Sequence, residues 1–153
     1  MVSNLHCIVA QDIFNIINND DDQPLMSQTS NNILKPAINF LQHYAPFNQM
    51  SMAHQEYLAM HLEQMFFSAG DIILSSAQGV SEYFYIIKNG QVNTQQNTFK
   101  QGECFPITEF IDKNPITFTY YAQKSTICYQ LKYSHFEYLM QQCPIFHHFF
   151  ITL

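Results

Sequence analysis

Seven histidines and four cysteines are the side chains with the most chemistry to offer, and their spacing leaves them little to do. His54 and His61 are seven residues apart; on one helix they would share a face yet stand ~10 Å apart along its axis, too far for one ion. His147 and His148 follow Cys143, and no HxH pair occurs. Cys7, Cys104, Cys128 and Cys143 form neither a CxxC nor a zinc-finger spacing, so they read as reduced thiols of a cytosolic protein. Cys104 stands beside Glu103 rather than a cation, which does not favour the thiolate. No GxSxG is present. The chain therefore reads as a non-enzyme with no metal and no cofactor.

Charge narrows the partners further. Six basic residues oppose twelve acidic ones, for a net charge of −6 in 153 residues. All six are lysines (35, 88, 100, 113, 124, 132), and there is no arginine. Twelve asparagines and sixteen glutamines fill the polar surface instead. Such a chain neutralises few phosphates, which argues against nucleic-acid binding. It also has no side chain for bidentate recognition of phosphate. The start, MVSNLHCIVAQD, carries no basic leader. No window reaches the ~18 apolar residues of a membrane span. A cytoplasmic location with no membrane contact is expected.

The elements that would position a site fall into three blocks. Residues 1–18 carry an apolar set fit for a short helix, followed by a polar, turn-rich linker over 18–32. A helix is expected from Pro36, with Ile38, Phe40, Leu41 and Tyr44 near one face, and it ends by Pro46. Ser51 is placed to cap the next, where Leu58, Leu62 and Met65 recur at helical spacing. From Phe66 to Phe105 short β-rich runs are broken by glycines 70, 79, 90 and 102, as in a sandwich or jelly roll. Two more strands are expected near 117–122 and 126–131. Ser134 and Glu137 form an S-x-x-E capping box for a following helix. Pro144 starts a last one, on which Phe146, Phe149, Phe150 and Leu153 share a face. That face has no terminator behind it and reads as an interaction seam, so the chain is expected to be cut before a further module.

The β block resembles the cyclic nucleotide-binding domain family. Phe67-Ser-Ala-Gly70-Asp71-Ile72-Ile73, then Gly79, Tyr83-Phe-Tyr-Ile-Ile-Lys-Asn-Gly90-Gln-Val92 and Gly102-Glu-Cys-Phe105 follow its order of glycines and aromatics. Cys128-Tyr-Gln-Leu131 and Cys143-Pro-Ile-Phe-His-His-Phe-Phe150 are similar to the amino-terminal domain of bacterial proteins that carry CBS-domain pairs and a nucleotidyltransferase-like region. The resemblance implies an α+β fold: an antiparallel β jelly roll (double-stranded β-helix) flanked by N- and C-terminal helices. It sets an extension over 1–35 and the domain over 36–153.

The resemblance also places a ligand cassette, over Gly102, Phe105, Pro106, Ile107, Thr108, Ile116, Thr117 and Phe118. In the family a Gly-Glu pair and a downstream Arg hold the phosphate and ribose. Here Pro106, Ile107 and Ile116 stand in those places. Proline has no N–H to give and fixes φ at about −65°. Losing the arginine alone forfeits a charge-assisted pair worth ~1.5–3 kcal/mol. The expectation is a regulatory domain with a degenerate cassette that packs on or gates a downstream module. The alternative is a sensor of cAMP, cGMP or a related small molecule through non-standard contacts, in an apolar pocket walled by Ile107 and Ile116. A homodimer through the last helix is the other partner considered.

Overall fold

Alternation along two central strands sets the architecture. The computed structural model describes residues 33–153. The helix and linker expected over 1–32 lie outside the described residues. A helix, α1, covers residues 33–41 and is already under way three residues before Pro36. A 3-10 turn at Phe47–Gln49 leads to α2, Met52–His61. Ser51 caps α2 as expected, its hydroxyl accepting from the His54 N–H at 3.2 Å.

Eight strands follow: β1 Glu63–Phe67, β2 Ile72–Leu74, β3 Tyr83–Asn89, β4 Gln91–Asn93, β5 Thr98–Lys100, β6 Cys104–Phe105, β7 Tyr120–Ala122 and β8 Thr126–Lys132. They form two four-stranded antiparallel sheets, ordered β1-β8-β3-β6 and β2-β7-β4-β5. The result is an α+β jelly roll of two open sheets rather than a closed barrel. Gly90 joins β3 to β4 at φ 115°, and a Cβ there would strike Thr126. Thr126 is fully buried, and its hydroxyl serves Gln91 and Lys124 of the same corner.

β3 is buried on both faces. Phe84 and Ile86 point to one side and Tyr85 and Ile87 to the other, as the two-residue strand period requires. β8 divides likewise, Tyr129 and Leu131 against Cys128. Two hydrophobic clusters result. The first lies between one sheet and the helices; the second lies between the sheets.

After β6 the chain makes a short helix, α3 Thr108–Asp112, which five residues are too few to announce through helical periodicity. After β8 come α4 Tyr133–Gln142 and α5 Pro144–Ile151, with Pro144 in the first turn of α5 as expected. The capping box expected at Ser134 is absent. α4 starts at Tyr133 directly from β8, Lys132 holds the cap position, and no side chain caps the helix. The Tyr133 N–H instead donates to the Glu82 carbonyl at 3.1 Å, so the strand-to-helix corner itself satisfies it.

The Phe146–Leu153 face is divided rather than free. Phe146 and Phe150 are buried and ring-packed with Phe136, and Phe150 also meets Phe84. Phe149 is half-buried, and only Leu153 is open to solvent.

Candidate ligand-binding site

The expected cassette is a continuous excursion between β6 and β7. It starts behind Gly102, whose N–H donates to the Ile87 carbonyl at 2.8 Å. Gly102 has φ 86°, and the Tyr44 ring lies where a Cβ would stand, so no other residue fits. Glu103 closes the turn, its carboxylate accepting from the Lys100 N–H at 2.7 Å. α3 then ends on Lys113, a non-glycine residue in the left-handed region at φ 55°. The Lys113 ammonium sits 4.3 Å over the Tyr133 ring. From there a strap returns over the roll, pinned by a bridge between Val80 and Pro115 and by the Ile116 N–H donating to Gly79 at 2.9 Å.

The cassette residues do not converge on one point. Phe105 and Pro106 are buried, Ile107 and Phe118 half-buried, and Thr108 and Thr117 exposed. Ile107 packs on the helix-side cluster, whereas Ile116 is buried in the cluster between the sheets. Among the described residues the two isoleucines thus pack into different clusters. A cavity of about 310 Å³ takes Ile107 with Gly102, Phe99, Phe149, Phe150 and Leu153. It joins the cassette to the last helix and leaves Ile116 out. On the other flank a cavity of about 500 Å³ lies among Val80, Glu82, Tyr83, Lys113, Lys132 and Tyr133.

Between the sheets the space is filled by rings. Tyr85 stacks on Phe105 at 5.2 Å with planes 7° apart, and Phe105 on Tyr120 at 5.2 Å and 15°. Phe99 closes on both Phe105 and Tyr120 at 5.8 Å. Ile116, Ile73 and Leu74 complete the cluster. Sequence reasoning singled out Phe105 but missed Tyr85, Phe99 and Tyr120. Their only local signal is an aromatic on alternate strand positions, and what unites them is pairing across the fold.

Chemically the arrangement is quiet. Burial pushes the Tyr120 hydroxyl up to about 12, with Glu109 adding to it, and raises Tyr85 further in the same direction. Burial holds the Cys128 thiol up at about 12, and burial with Glu103 beside it raises Cys104 too. Neither thiol is an activated nucleophile. Among the described residues no three His, Cys, Asp or Glu side chains gather as a metal site would require, and no helix is long and apolar enough to cross a membrane.

The comparisons with known proteins agree with this geometry. The family model for the cyclic nucleotide-binding domain matches residues 64–143, more than half of the chain. No curated protein sequence matches it. Among solved structures, the regulatory domain of Toxoplasma gondii PKA with cAMP superposes with a TM-score of 0.71 at 16% identity, over 82% of this chain and 51% of that one. The regulatory subunit of a cAMP-independent protein kinase A from Trypanosoma cruzi, bound to guanosine, gives 0.66 at 22% identity, over 74% of this chain and 43% of that one. A form of the Trypanosoma brucei subunit with three substitutions, one introducing an arginine, was solved with cAMP in its A site; it gives 0.63 at 19% identity over 78% of this chain and 51% of that one. This chain thus spans about half or less of each of those chains, and identities this low speak to the fold alone.

Proposed function

Because the chain belongs to the cyclic nucleotide-binding domain family, we propose that it is a regulatory domain that keeps the family's roll but not its phosphate grip. The observation that carries this reading is Ile116. By the family resemblance it stands where the arginine is expected, and it is buried in one cluster with Ile73, Leu74 and Tyr120. Pro106 brings no N–H to the start of α3. Without the charge-assisted pair, affinity for cAMP or cGMP falls by roughly 10- to 100-fold, at 1.4 kcal/mol per decade. The domain then acts by packing on or gating a separate module, as expected of a bacterial signalling protein of the CBS-linked type. The exposed Ile151 and Leu153 at the end of α5 are available for that packing or for a second copy of the chain. Isothermal titration with cAMP and cGMP tests the reading. Heats fitting a Kd above 100 μM support it, and a low-micromolar Kd for either nucleotide overturns it.

A second reading, the small-molecule sensor, is favoured by one observation. The cavity holding Ile107, Phe99 and Phe149 is walled mainly by apolar groups, with Glu103 its one charged residue and no lysine, which suits a ligand without negative charge. The Trypanosoma cruzi relative is a precedent, being bound to guanosine, a nucleoside without phosphate. Guanosine belongs in the same titration. A micromolar Kd for it with none for cAMP would make this reading the better one.

A further inference from the structure

The helices beside the roll meet along a seam that the ligand readings do not use. α2 brings Tyr57 and His61 to it, and α4 brings His135 and Tyr138. The two imidazoles are stacked, ring centres 3.8 Å apart and planes 27° apart. Tyr57 stacks on Tyr138 at 4.2 Å and leans on His61 at 4.4 Å. Each imidazole is fixed through one nitrogen. His61 Nδ1 donates to the Tyr57 carbonyl at 2.9 Å, and His135 Nδ1 lies 3.0 Å from the Tyr57 hydroxyl. That hydroxyl donates to Nδ1 only while the His135 ring is neutral; a protonated ring must reverse the bond.

Charged groups facing the pair come from the strands beneath. Lys132 ends β8 and opposes any positive charge on His135, while Glu63 of β1 favours it. Glu63 is buried. One of its oxygens accepts from Gln130 at 3.2 Å, and the other has no hydrogen-bond partner among the described residues.

We propose that the His61–His135 stack is an acid-sensitive latch between α2 and α4, closed while both rings are neutral and parted when the pair takes up protons. Two cations cannot share a stack this close without strong repulsion. The electrostatics of the seam agree. Burial lowers His61, and burial, His61 and Lys132 together hold His135 down to about 4, with Glu63 offsetting part of this. Both rings are thus held below the ~6.5 of an open histidine. The latch therefore contributes fully above pH 6.5, and its hold is lost as pH falls from there through 4.

Hydrogen exchange of the whole chain, corrected for intrinsic rates, tests this at pH 7.5 and pH 5.0. Protection of amides in 52–61 and 133–142 should fall by roughly 10- to 30-fold at pH 5.0, the linkage expected from His135 alone, while β3 and β8 keep theirs. His135→Phe keeps a ring in the stack without a titrating nitrogen and should shrink that difference to the smaller part His61 carries. Equal protection of the wild-type helices at both pH values would overturn the latch, as would the same acid loss in His135→Phe. Loss across the sheets as well as the helices at pH 5.0 would do so too, since it would mean global acid unfolding. Should the variant fail to fold, the proton NMR titration of His135 in the wild type decides: an inflection near 4 supports the latch, and one near 6.5 overturns it.

Discussion

The two hydrophobic clusters flanking β3 are built from the same residue types and packed by different rules. On the helix side, Phe136 meets Phe110, Phe146 and Phe150 edge to face, with Phe84 tilted against it. Between the sheets, Tyr85, Phe105 and Tyr120 lie nearly parallel. Edge-to-face rings from four different elements lock those elements at fixed angles. Parallel rings form a column that fills a slot without fixing what lies above it. The helix side is thus a structural joint, and the space between the sheets is a slot packed with stacked rings.

The largest test of that difference is Phe136→Ala. It removes the ring on which the helix-side joint converges and should cost about 3–5 kcal/mol, read by denaturant or thermal unfolding. A loss below 1 kcal/mol would mean the joint collapses around the gap and the contrast is empty. Next is Ile116→Arg, which puts a charge at the wall of the slot. Ile116 is buried between the sheets, so an unpaired charge there should cost at least about 2–3 kcal/mol. Combined with Pro106→Gly and Ile107→Glu, the arginine should regain stability when millimolar cAMP is added. No shift in melting temperature with cAMP would show that the aromatic column, not the lost contacts, excludes the ligand. The smallest effect separates two serines that look alike in sequence. Ser51→Ala should cost ~0.5–2 kcal/mol through its lost cap, whereas Ser134→Ala should stay within about 0.5 kcal/mol because it caps nothing.

Those serines also mark how far the sequence could be read. Local patterns carried local facts: the Ser51 cap, Pro144 in the first turn of α5, and the positive φ of Gly70, Gly90 and Gly102. The ordered glycines carried the fold, because each turn in a roll demands its own backbone geometry. The capping box at Ser134 misled because β8 continues to Lys132 and supplies the corner's hydrogen bond from Glu82. The candidate site was less legible. Positions 106, 107 and 116 follow from the family pattern, which puts Ile107 and Ile116 on one pocket wall. The strap pinned at Gly79 and Val80 turns Ile116 inward while Ile107 faces the helices. Contacts of that kind join residues far apart in the chain and leave no periodic trace. His61 and His135, seventy-four positions apart, are the same lesson: as separate histidines they signalled nothing.

β3 ends by deciding how the domain comes apart. Residues 83–87 wall both clusters at once, and a slip of one position would hand Phe84 and Ile86 to the slot and Tyr85 and Ile87 to the joint. Neither cluster can melt while the other holds the strand in register. The sheets should therefore unfold as one cooperative unit, with a single transition seen alike by tyrosine fluorescence and by far-ultraviolet circular dichroism.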